Sequence, residues 1–104
     1  MAEWVKVAQV SDVAQGHVKT VLAKGQRLAL AHLADGSYHA IEDRCTHDNG
    51  PLGAGELVDD LVECPRHGAR FNVKSGQPVT LPAVVPVKSF QVKVTGEDVF
   101  VKID

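Results

Sequence analysis

The sequence predicts an all-β protein with an antiparallel base. Three observations carry that expectation. Apolar residues recur with period two in short runs, Lys-Gly and Asp-Gly dipeptides punctuate those runs, and only one four-residue segment carries a helix-capping pattern. Taken in order, Trp4 to Val7 is the first strand. Ser11-Asp12-Val13-Ala14 caps a single helical turn that Gly16 ends. His17 to Leu22 and Arg27 to Leu33 pair as a hairpin about Lys24-Gly25. Asp35-Gly36 then turns the chain into a strand over Ser37 to Glu42. Near the end, Phe90, Val92 and Val94 share one face, and Val99, Val101 and Ile103 share another. Thr95-Gly96-Glu97-Asp98 is the turn between them. Alternation of this kind buries one side of a sheet and leaves Lys88, Lys93 or Lys102 near solvent.

The middle of the chain differs. Gly50, Pro51, Gly53, Gly55, Pro65, Gly68, Gly76, Pro78 and Pro82 crowd it, and only Leu61-Val62-Glu63 and Arg70-Phe71-Asn72-Val73 read as short strands. The expectation is a small loop-rich lobe, residues 43–82, set into the β base. No linker, repeat or low-complexity tract divides the 104 residues, so a single domain over 1–104 is expected.

Bulk properties narrow the function. A chain of this length buries roughly 60–70% of its unfolded surface, enough for a thin core. Eleven Lys and Arg against thirteen Asp and Glu leave a net charge of −2, with no bulk attraction for nucleic acid or anionic lipid. The longest apolar stretch, around Leu28 to Ala34, falls far short of the ~20 residues of a spanning helix. The start, Met1-Ala2-Glu3-Trp4, lacks the apolar region of a signal peptide. A monomeric cytoplasmic protein with no membrane or nucleic-acid partner is expected.

Both cysteines fall in one motif. Cys45-Thr46-His47 is a C-x-H and Cys64-Pro65-Arg66-His67 a C-x-x-H, with sixteen residues between them. Each half joins a thiolate to an imidazole, so two loops offer two ligands each. Such a set suits a [2Fe–2S] cluster in which Cys45 and Cys64 hold one iron and His47 and His67 the other. Neutral imidazoles remove negative charge from the site, which makes reduction easier than at an all-Cys cluster near about −400 mV. Gly50 and Gly68 follow the histidines and let backbone N–H groups approach the sulfides. Zinc is the alternative metal, but its usual layout keeps each half uniform, two Cys and then two His.

The two boxes, Cys45-Thr46-His47-Asp48-Asn49-Gly50-Pro51-Leu52 and Cys64-Pro65-Arg66-His67-Gly68-Ala69-Arg70-Phe71, resemble those of the soluble Rieske-type ferredoxins of bacterial ring-hydroxylating dioxygenase systems. Phe71 to Gly76 also fits, as the family often follows its second box with Phe, a few residues and then Ser/Thr-Gly. The resemblance implies a Rieske-type sandwich or barrel base and one [2Fe–2S] Rieske cluster. It places Cys45 and Cys64 on the inner iron and His47 and His67 on the outer iron through Nδ1. Pro82 would lie in a segment covering the cluster. The implied role is electron carriage rather than catalysis, from a flavin-dependent NAD(P)H reductase to a terminal oxygenase in aromatic hydrocarbon catabolism. Partners would dock transiently near His47 and His67. The second reading is a small Rieske subunit of a larger reductase, such as nitrite reductase.

Departures from high-potential Rieske proteins are informative. Gly50 and Arg66 stand where those proteins carry a loop-linking disulfide. Ala69 and Phe71 stand where they carry Ser and Tyr hydroxyls directed at sulfur. A midpoint around −150 mV is therefore expected. His17, His32 and His39 are expected at the surface or in satisfied packing, and Trp4 and Tyr38 inside the β base. Of Asp43, Asp48, Glu56, Asp59, Asp60 and Glu63, most are expected to be solvated. Arg44, Arg66 and Arg70 lie near the ligands and could offset that acidity, Arg66 beside the exposed histidine edge.

Overall fold

Four consecutive residues, Leu28, Ala29, Leu30 and Ala31, are fully buried in the computed structural model, which describes residues 3–44, 50–65, 68–80 and 85–103. Successive side chains of a strand point to opposite faces. The sheet that holds these four must therefore be covered on both sides. That sheet contains β2 (His17–Ala23), β3 (Gln26–His32), β4 (Tyr38–Glu42) and β9 (Ser89–Phe90) in the order β2-β3-β4-β9. Leu28 and Leu30 enter one core with Val21, Ala40, Val99, Val101 and Ile103. Ala29 and Ala31 enter the other with Ile41, Leu52, Val62, Cys64 and Phe71. Large side chains fill the base, and small ones let the lobe approach closely.

The base core is closed by a three-stranded sheet, β1-β11-β10, of β1 (Glu3–Gln9), β10 (Val92–Thr95) and β11 (Asp98–Ile103). The lobe is a four-stranded meander, β5 (Glu56–Val58), β6 (Leu61–Glu63), β7 (Arg70–Asn72) and β8 (Pro78–Thr80). All ladders among the described residues are antiparallel. Helix is confined there to two 3-10 turns, Val10–Asp12 and Leu52–Ala54. The all-β expectation holds.

Local chemistry accounts for most connections. Lys24 and Gly25 both have positive φ, 51° and 77°, and join Ala23 to its partner Gln26, as a tight two-residue hairpin requires. The expected helical turn sits two residues earlier than its capping pattern suggested, with Gln9 rather than Ser11 at its N-cap. Asp12 closes it from behind by accepting the Gln9 N–H at 2.8 Å. β5 and β8 were not expected. β5 reaches β6 through Asp59, which tolerates a left-handed φ of 54°. β8 starts with Pro78, and a sheet edge accepts the missing N–H.

Two expectations need correction. Phe90, Val92 and Val94 do not share one strand face. Phe90 pairs with Ala40 in the central sheet, whereas Val92 pairs with Val101 in the other, and Gln91 is the crossover. Trp4 does not pack inside the base. Its outer-face position leaves it 36% exposed, with Lys93 Nζ 4.4 Å and Lys102 Nζ 6.0 Å from the ring centroid. Tyr38 does reach inward. It packs against the base core, stacks on His32 at 4.0 Å, and donates its hydroxyl to the Val10 carbonyl at 3.2 Å.

Candidate metal centre

Of the four expected ligands, Cys64 lies among the described residues, and Cys45, His47 and His67 lie outside them, as do Asp48, Arg66 and Pro82. Cys64 follows β6, and its strand partner β7 brings the chain back. Cys64 N–H donates to the Ala69 carbonyl at 2.7 Å, and Gly68 N–H donates to the Cys64 carbonyl at 3.1 Å. Gly68 adopts φ +74° to close this turn. Its own N–H is thus spent on Cys64. What Gly68 contributes is the left-handed bend; among the described residues, a Cβ there would meet nothing nearer than Glu63 Oε1 at 3.9 Å.

The thiol is 1% exposed and shares its core with Leu52, Val62, Ala69 and Phe71. A thiolate in such apolar surroundings is stabilised by coordination to a cation rather than by water. The described wall therefore fits the sulfur side of an iron–sulfur centre. Ala69 and Phe71 are fully buried in it and contribute no hydroxyl. Across the β6–β7 pair, Arg70 Nε donates to Glu63 Oε1 at 3.0 Å.

The first loop is tied at its base by a residue that composition alone misreads. Asp43, expected with the solvated acids, is 2% exposed and is the one buried charged residue among those described. Its Oδ1 accepts the Gly53 N–H at 2.5 Å, and its Oδ2 accepts the Thr20 hydroxyl at 2.8 Å. Arg27 Nε stands 3.9 Å from the same Oδ2. Asp43 and Gly53, which flank the segment with Cys45 and His47 in the sequence, are thus held together. Gly50 and Leu52, on the return side, are buried. An acid directly after the end of β4, Ala40-Ile41-Glu42, ahead of a Gly-rich stretch, was the only available signal. The other acids among the described residues lie at or near the surface. Glu56 and Asp59 are exposed, Asp60 pairs with Lys74 at 3.9 Å, and Glu63 is held by Arg70.

The remaining histidines are accounted for. His17 is exposed. His32 Nδ1–H donates to the Val13 carbonyl at 2.9 Å. Ser37 gives its hydroxyl proton to Asp35 at 2.6 Å, so His39 Nε2–H donates to Ser37 Oγ at 2.9 Å. Among the described residues, no three His, Cys, Asp or Glu gather to hold a separate metal.

A profile for the Rieske [2Fe–2S] domain matches residues 3–91. The chain belongs to the Rieske family. The Rieske fold thereby explains the two-faced central sheet and the lobe with its buried cysteine, and the protein carries one Rieske [2Fe–2S] cluster. The chain is 37% identical to the ferredoxin CarAc of Metapseudomonas resinovorans, covering 94% of this chain and 92% of that one. It is 36% identical to the ferredoxin component of biphenyl 2,3-dioxygenase of Rhodococcus jostii (strain RHA1), over 95% and 92%. Among solved structures, the fold matches a chain in the complex of reduced oxygenase and oxidized ferredoxin in carbazole 1,9a-dioxygenase. The TM-score is 0.85 and the identity 38%, over 94% of this chain and 91% of that one.

Proposed function

We propose that this protein is the ferredoxin component of an oxygenase system, carrying single electrons to a terminal oxygenase. The observation that carries the reading is identity of 36–37%, over nearly the whole chain, to proteins named as ferredoxins of such systems. That identity favours it over the reading as a reductase subunit. Cys45 and Cys64 would hold one iron, and His47 and His67 the other. A cluster held this way takes up and releases one electron at a time. The burial of Cys64 supports an inner, water-excluded sulfur side, and the exposure of Arg44 and Pro65 supports a solvent-facing histidine side. There a flavin-dependent reductase and the oxygenase would dock in turn.

One domain spans 1–104 in this reading, because the central sheet supplies both cores and neither half could bury its face alone. The protein acts as a monomer in the cytoplasm. No helix among the described residues is long and apolar enough to cross a membrane. The deciding experiment is low-temperature electron paramagnetic resonance of dithionite-reduced protein. A Rieske-type rhombic signal, lost in Cys45→Ser and His67→Ala, is expected. Zinc without iron or labile sulfide would overturn the reading.

A further inference from the structure

We propose that Asp43 is a positioning residue for the cluster: by bridging Thr20 and Gly53 it closes the base of the loop that carries Cys45 and His47, and so sets how tightly the first ligand pair holds. The inference rests on the ligand assignment proposed above. Three observations converge on it. The carboxylate is buried at 2%, and a buried polar group persists only where its hydrogen bonds are made. Its two oxygens serve different elements, Oδ2 a side chain on β2 and Oδ1 a backbone N–H in the 3-10 turn of the lobe. The contact also leaves no slack, because Gly53 lies so close to β2 that a Cβ would overlap Thr20 Oγ1 and stand 2.7 Å from its nitrogen.

The consequence follows from loop geometry. Residues 43 and 53 are pinned together, so the segment between them is a closed loop whose ends cannot separate. A ligand pair on such a loop loses less freedom on binding iron than one on an open segment. With the bridge removed, Cys45 and His47 remain available but are no longer presented together. The base keeps a core of its own on the other side of the central sheet.

The test compares cluster release with chain stability in Asp43→Ala, Asp43→Asn and Thr20→Val. Val101→Ala, deep in the base core, is the control for general destabilisation. Decay of visible absorption under chelator gives the release rate, paramagnetic resonance gives ligand geometry, and apo-protein unfolding gives stability. Asp43→Ala is expected to release the cluster about ten- to one-hundred-fold faster, the factor that a hydrogen bond to a charged group is worth, and to broaden the signal. Asp43→Asn can still accept from Gly53 and donate to Thr20, so it should restore most of the retention. Should Asp43→Ala fail to fold, Thr20→Val, which deletes one arm, is expected to show the same acceleration in smaller measure. Release from the Asp43 and Thr20 variants no faster than from Val101→Ala at matched stability would overturn the inference and leave the ligand assignment standing. A wild-type protein without the Rieske signal would instead remove the assignment.

Discussion

Gly53 rests directly against Thr20, with no room between them for even a methyl group. The lobe is seated on the base at this point, and the residue type is dictated by the distance rather than by φ. Gly53→Ala must push β2 or the 3-10 turn aside. Overpacking of this kind costs about 1–3 kcal/mol, and urea denaturation should show a midpoint lowered accordingly. Gly36→Ala is the comparison. It strains a φ of +90° but meets nothing within 4 Å, so it should cost only about 1 kcal/mol.

The wall around Cys64 bears on potential. Ala69 and Phe71 are fully buried in the same core and offer no hydroxyl to sulfur. A midpoint near about −150 mV is expected for the native protein. Ala69→Ser returns one donor. If it reaches the sulfur, the midpoint should rise by roughly 60–130 mV, from ~1.5–3 kcal/mol per charged hydrogen bond and ~59 mV per tenfold change. Protein-film voltammetry of the pair reads the difference directly.

His39 should titrate low. Burial holds its imidazole below the ordinary 6.5, and Lys74 adds to the effect, while Asp35 and Asp60 oppose it. The folded protein therefore binds this proton more weakly than the unfolded chain does. Stability from this group is complete above 6.5 and is lost as the pH falls from 6.5 through the lower folded value. A ring-proton NMR titration should give a midpoint below 6.5, and His39→Gln should flatten the acid limb of the stability curve relative to wild type.

Trp4 is the only tryptophan, so it reports on its own surroundings. Lys93 covers its ring and also reaches Phe100 at 5.8 Å. Lys93→Gln removes this cation and should lower stability by about 0.5–1 kcal/mol. Trp4 fluorescence during urea unfolding would show a small shift in midpoint. A change larger than 2 kcal/mol would mean that Lys93 packs in some further way.

Much of this protein was legible along the chain. The Lys24-Gly25 hairpin, the strand after Asp35-Gly36 and the buried row Val99, Val101, Ile103 follow from local rules that hold wherever the segment sits. Cys64, which its spacing singles out as a candidate ligand, is buried in the lobe core. Other features depend on what lies across a gap. The apolar run Leu28-Ala29-Leu30-Ala31 carries no period, and only packing tells that its leucines face the base and its alanines the lobe.

Taken alone, the amino-acid order determined an all-β chain and pointed to a candidate mixed Cys/His ligand set, since turn chemistry and ligand chemistry are both local. The tertiary structure decided that Asp43 is buried, that Gly53 has no room for a side chain against Thr20, and that Trp4 is left outside. Asp43, Gly53 and Trp4 each take their role from a distant partner, Thr20 for the first two and Lys93 for the third. Contacts between residues far apart in sequence are set by how the layers stack, and no short window of residues contains that information.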